Sequence, residues 1–320
     1  NLLETIEGLN RSGQDLVAYN GHALVAAGSR DDLGLYFFIP KLMNLTHLSL
    51  QGTLGLWFWT VFVVGVLMAL LGIGVLYLRR SQRIIAYLFV CPFVVFLIAV
   101  RQLIDDVYLM PALVPLALVP WGLWLWNTAQ SLRRWMLFAL ISGIMIGVAN
   151  MIRSQSGIPA LILISMLLFL QRGWWKQKGI ITLVFLLGMI IPTVPFRHAL
   201  MVRNDFLKKQ ERAYQGVAPR HIFWHTAYIG LGFLSNPYGI TYNDESAMRK
   251  VEAVKPDVEY LSAEYENILK QETLRMVRHD PFFTLMTLAA KGGVMGVYFL
   301  VCANLGGIFG WWRKKDWHIE

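Results

Sequence analysis

The chain has 320 residues, of which 56% are hydrophobic and only 15% charged, with a mean hydropathy of +0.49 and a net charge of +9. Soluble domains do not carry that much apolar surface, so the composition excludes an ordinary globular fold and predicts an all-α polytopic membrane protein. The positive excess sits in short clusters between apolar runs, where orientation signals belong, which excludes nucleic acid as a partner.

The first region, Asn1 to Thr53, opens with Leu2, Leu3, Ile6 and Leu9 at helical spacing, the pattern of a short amphipathic helix lying along a membrane surface. Ser12-Gly13 ends it and Asn20-Gly21 marks a turn. The stretch SRDDLGLYFFIP then sets Asp31 and Asp32 directly against an apolar helix expected from Leu33 to Leu45. One aspartate can serve as the helix N-cap. The other is left at the boundary between water and membrane, and the pair forms the first candidate for catalysis.

Beyond Thr53, apolar runs long enough for a hydrocarbon core of about 30 Å recur. They are Leu54 to Leu78, Ile84 to Val100, Val107 to Trp126, Trp135 to Asn150, Gly157 to Leu170, Gly179 to Pro195 and, within Pro281 to Trp312, a last one. Every second junction is basic: Arg79, Arg80 and Arg83; Arg133 and Arg134; Arg172, Lys176 and Lys178; Arg313, Lys314 and Lys315. By the positive-inside rule those junctions are cytoplasmic and the others face outward. An omitted or spurious span would break that alternation, which supports about seven crossings. Trp121, Trp124, Trp126, Trp174, Trp175, Trp311 and Trp312 lie near the expected ends, where interfacial aromatic belts sit. Cys91 and Cys302 both fall inside apolar runs, which rules out a disulfide framework and a CxxC metal site.

The expected divisions are therefore residues 1–53 as an outward juxtamembrane loop, 54–195 as a bundle of six helices, 196–280 as a large outward loop, and 281–320 as a C-terminal span with a basic cytoplasmic end. Because the first region starts on the outside without an initiator Met or signal peptide, one more helix is expected before Asn1.

The large outward loop carries most of the remaining candidates. In HIFWH, His221 and His225 are four apart and share a face if helical, a spacing that suits a divalent metal. The alternative is that both simply donate or accept hydrogen bonds. The following LGFLSNPYGITYNDE offers Tyr238, Asp244 and Glu245, an aromatic face and carboxylates of the kind that recognise carbohydrate, or an exposed turn of the same composition. Tyr260 to His279 reads as an amphipathic structural helix. Arg203, where the chain leaves the membrane, is a further substrate-binding candidate. Arg101 and Arg153 at outward helix ends run against the positive-inside trend, which suggests a bound anion such as a lipid phosphate or pairing with Asp105 and Asp106. Local ion pairing or snorkelling is the bland reading of each.

An outward first loop with two juxtamembrane helices and carboxylates, a second long outward loop after the seventh helix, and short basic cytoplasmic links together resemble the GT-C glycosyltransferases. SGQDLVAYNG is similar to the first juxtamembrane helix and turn of the branch holding protein O-mannosyltransferases and lipid A aminoarabinose transferases. SRDDLGLYFFIPKL sits where that branch has an acidic residue, Lys-Pro-Pro and an aromatic helix, although Lys-Pro-Pro itself is absent here. The resemblance implies an inner-membrane enzyme that moves a sugar from a polyprenyl phosphate donor to a glycan, lipid or protein acceptor on the periplasmic side. It also implies that the family's principal acidic pair would fall before Asn1, so Asp31 and Asp32 are either the base or acceptor-orienting or metal-binding residues. Two other readings share the topology: a noncatalytic subunit or polysaccharide polymerase or ligase, and a transporter, for which Pro111, Pro115 and Pro120 break one span but no matching second half is present.

Overall fold

The computed structural model describes residues 13–19, 24–27, 33–79, 110–128, 131–152, 157–170, 174–210 and 223–312, together with residues 9, 22, 83, 86, 89 and 90 singly. Asp31, Asp32, Arg101, Arg153 and His221 lie outside these, as do nearly all of the expected helices at Leu2 to Leu9 and Ile84 to Val100. The chain divides into two compact units, one of Asn1–Ala218 with Leu305–Glu320 and one of Pro219–Asn304.

The first unit begins with a two-stranded antiparallel hairpin, β1 (Val17–Tyr19) and β2 (Leu24–Ala26), in which Val17 pairs with Ala26 and Tyr19 with Leu24. Helix α1 (Leu33–Thr46) follows, as the apolar run after Asp32 predicts. It buries Leu35, Tyr36, Phe37 and Ile39 against Leu16, Ala18, Met151 and Ile152. Gly34 permits this approach, because a Cβ there would run into the backbone of Met151. Asp15 pairs with Lys41 at 2.8 Å, tying the hairpin to α1 at the surface.

Helix α2 (Leu50–Leu78) is capped by Ser49, whose hydroxyl accepts from the Gly52 N–H at 3.2 Å. The expected span Val107 to Trp126 is two helices, α3 (Met110–Ala117) and α4 (Val119–Thr128), broken at Leu118 between Pro115 and Pro120, neither of which can donate to a helix ladder. Helices α5 (Leu132–Ile152), α6 (Ile158–Leu170), α7 (Trp175–Ile190) and α8 (Thr193–Gln210) complete this unit. The expected end of the sixth run at Pro195 is corrected here. Pro195 falls in the first turn of α8, where a missing N–H breaks no bond, and the helical path continues to Gln210.

Helices α5 and α7 pack most closely. A Cβ on Gly147 would lie 2.6 Å from the Met189 carbonyl oxygen, one on Gly188 2.6 Å from the Leu140 carbonyl oxygen, and one on Gly143 would strike the Phe185 carbonyl. Small residues let membrane helices bring their backbones together in this way. Trp121 donates its indole N–H to the Met68 carbonyl of α2 at 2.9 Å, and Trp174 and Trp175 are largely exposed.

Among the described residues, three helical stretches are long and apolar enough to cross a membrane: Leu50–Leu78, Leu132–Ile152 and Trp175–Lys209. Two more apolar helices are shorter, Val114–Trp126 and Ile158–Leu170. Their outer faces carry Trp59, Leu67, Leu71, Phe169 and Leu183, each more than half exposed. Apolar surface of that kind costs about 25 cal/mol per Å² in water and nothing in hydrocarbon, so the fold suits a bilayer.

The second unit is built around helices α9 (Phe223–Gly230), α10 (Asp244–Val254) and α11 (Ala263–His279) and the start of α12 (Pro281–Trp312). Each of the last three starts on a side-chain cap: Asn243 accepts from the Ser246 N–H at 3.0 Å, Ser262 from Tyr265 at 3.1 Å and Asp280 from Phe283 at 2.9 Å. Its core joins Tyr228, Leu231, Ile240, Val251, Leu269 and Met276.

Candidate functional site

Helix α9 has no capping residue of its own among the described residues, and α11 provides one. The Glu266 carboxylate accepts from the Trp224 N–H through Oε2 and from the His225 N–H through Oε1, both at 2.9 Å. This fixes the start of α9 and, with it, the His225 ring. That imidazole is buried, with Nδ1 3.0 Å from the Tyr265 hydroxyl and Nε2 3.1 Å from Asp244 Oδ1. Burial raises the Tyr265 phenol far above its ordinary value, with the Tyr260 and Glu266 charges adding to the effect, so its hydroxyl keeps its proton. One arrangement satisfies all three groups: Tyr265 donates to Nδ1, and Nε2–H donates to Asp244.

Both ring nitrogens of His225 are therefore engaged by protein partners, and no lone pair is left for a metal while these bonds hold. Among the described residues, no group of three or more His, Cys, Asp and Glu could hold an ion. Asp244, proposed as a substrate ligand, serves His225 with one oxygen, and Glu245 is exposed in the first turn of α10. Arg203 belongs to the other unit, where it is 1% exposed and donates through Nε and Nη2 to Asn204 Oδ1 at 3.1 and 2.9 Å.

One turn beyond His225, Tyr228 opens onto a cleft of about 360 Å³ lined also by Tyr238, Lys250, Glu272, Arg275, Met276 and His279. Its placement follows from α11, where Tyr265, Leu269, Glu272 and Met276 recur at helical spacing and put one carboxylate on the buried stripe. Glu272 Oε2 is shared by Lys250 Nζ at 2.9 Å and Arg275 Nη2 at 2.7 Å. On the opposite wall, Tyr238 is held by a turn that Asn236 organises, its side chain bonding the Tyr238 and Ile240 N–H groups and the Leu234 and Ile240 carbonyls. The Tyr238 hydroxyl donates to Asp280 Oδ2 at 2.9 Å. The Phe283 N–H and then this phenol hold the Asp280 carboxyl below the usual aspartate value.

Of the residues expected from sequence, Tyr238 lines the cleft, while Asp244 sits with the buried histidine. Tyr228, Lys250, Glu272, Arg275 and His279 were not expected. The signal that could have found them is Glu272 itself, a carboxylate on the apolar stripe of a helix taken as purely structural.

Comparison of the chain with family models, curated proteins and solved structures gave no match in any of the three.

Proposed function

We propose that this chain is a membrane glycosyltransferase that moves a sugar from a polyprenyl phosphate donor to an acceptor on the outer side of an inner membrane. The observation that carries the reading is a charged, tyrosine-walled cleft in the same chain as helices of bilayer length and composition. The apolar helices suit a donor with a long lipid tail, and the cleft suits a polar headgroup or acceptor. The alternation of basic junctions supports seven crossings and an outward position for residues 196–280.

In this reading, Asp31 or Asp32 takes the proton of the acceptor hydroxyl. The acceptor oxygen attacks the anomeric carbon from the face opposite the phosphate, the bond from that carbon to the phosphate oxygen breaks, and its electron pair leaves with the lipid phosphate. Arg101 and Arg153 stabilise the charge that develops there.

A photoactivatable polyprenyl phosphate, incubated with the purified chain and mapped by peptide mass spectrometry, tests the reading. Label concentrated on peptides from residues 1–53 and 196–280 and on the junctions holding Arg101 and Arg153, and displaced by unmodified polyprenyl phosphate, is the expected result. Label spread over the apolar helices and not displaced would overturn it.

A further inference from the structure

The cleft in the second unit has more than charge to offer a ligand. Tyr228 is 5% exposed and lines the cleft, and burial, with the Glu272 charge adding to it, holds its phenol above the ordinary tyrosine value, so its hydroxyl keeps its proton. A protonated phenol on the wall can donate to what fills the space. Lys250 and Arg275 each spend one N–H on the same oxygen of Glu272, which leaves their remaining donors available to a ligand. Two cations against one carboxylate leave a single positive charge. The site is therefore rich in donors and prefers an anion.

Three features argue against a bare inorganic anion. The second Glu272 oxygen, Oε1, accepts nothing from the described residues and suits a hydroxyl donor, of which a sugar ring offers several and a phosphate dianion only one. Tyr228, Tyr238 and Met276 present apolar faces that suit the C–H surface of a ring. The volume, about 360 Å³, lies in the range of small-molecule sites and exceeds what a lone phosphate would fill. Asp280 is not among the lining residues; its carboxylate accepts from the Tyr238 hydroxyl and the Phe283 N–H and keeps its charge, so the place for an anion is on Arg275 and Lys250.

We propose that this cleft binds a sugar ring carrying one anionic group, phosphate or carboxylate, with the anion on Arg275 and Lys250, a ring hydroxyl on Glu272 and a second acceptor on the Tyr228 hydroxyl. For its place in catalysis the inference rests on the transferase reading. Its binding test needs neither lipid nor transfer.

Calorimetric titration of the full chain in detergent with glucose 1-phosphate and with glucuronate measures it, with glucose and inorganic phosphate as comparisons. At least one anionic sugar should saturate a single site, and glucose and phosphate should bind about tenfold more weakly or worse, the loss of one charge-assisted contact. Arg275→Gln should weaken the anionic sugar about tenfold. Tyr228→Phe, which removes one oxygen and keeps the packing, should weaken it several-fold. The proposal is overturned if neither anionic sugar binds, if glucose or inorganic phosphate binds as tightly, or if both variants bind like the parent. Transfer by a chain whose cleft binds nothing would end this inference and leave the transferase reading standing, and a cleft that binds in a chain that lipid phosphate never labels would do the reverse.

Discussion

Glu266 holds two backbone donors and, through them, the orientation of a buried imidazole, so one side chain on α11 decides the geometry of α9. Removing it leaves the Trp224 and His225 N–H groups without an acceptor in a largely dry place. Each such loss costs about 1–3 kcal/mol. Glu266→Ala should therefore destabilise the second unit by about 2–6 kcal/mol, and Glu266→Gln, which keeps one acceptor oxygen, by about half as much. Thermal unfolding of the purified chain, followed by protease protection of fragments from residues 223–280, reads the difference. An Ala variant that melts with the parent would show that water replaces the carboxylate at no cost. The same neighbourhood shows why the role of His225 was not legible. A metal ligand and a hydrogen-bonded core histidine look alike at HxxxH spacing, and the partners that distinguish them, Asp244 and Tyr265, lie 19 and 40 residues away.

At the scale of elements, the pair α5 and α7 depends on glycine where the two backbones meet. Gly143 and Gly147 stand one turn apart on α5, and Gly188 of α7 faces the first of them, with Gly143 Cα 3.2 Å from where its Cβ would be. A methyl at Gly188 cannot be accommodated by rotating a side chain, since the nearest atoms are backbone. Gly188→Ala should cost about 1–3 kcal/mol through overpacking. Gly179→Ala, in the same helix with nothing within 4 Å of its new methyl, should be neutral or slightly stabilising. Thermal midpoints of the two variants in one detergent make the comparison internal, and equal midpoints would remove the close-packing account. The positions of α1, α6, α11 and the long apolar helices were readable because each rests on a local run or periodicity that a sequence displays directly. The hairpin was not, because strands of three residues carry too little alternation to stand out, and its partners α1 and α8 supply the burial that makes it form. The break at Leu118 and the continuation through Pro195 turn on where a proline falls within a helix turn, which depends on a boundary that the apolar run blurs.

At the scale of the molecule, the transferase reading stands or falls with sidedness, because a polyprenyl phosphate sugar can meet its acceptor only on the face where both are presented. In the proposed topology, read from the basic junctions, Lys176 is inside and the segment 196–280 outside. Asp257 and Lys176 are both exposed, so single cysteines there report on sidedness without disturbing a core. In a background with Cys91 and Cys302 replaced by alanine, Asp257→Cys should react with a membrane-impermeant maleimide in intact cells. Lys176→Cys should react only after the membrane is opened. Should both label from the same side, the alternation of basic junctions does not describe the fold, and an outward seat for the transfer goes with it. Should the two sides come out reversed, the cleft of Tyr228, Glu272 and Arg275 would face the cytoplasm, where soluble nucleotide-linked and phosphorylated sugars are available. The anionic-sugar inference would then survive a topology that the lipid-linked reaction cannot.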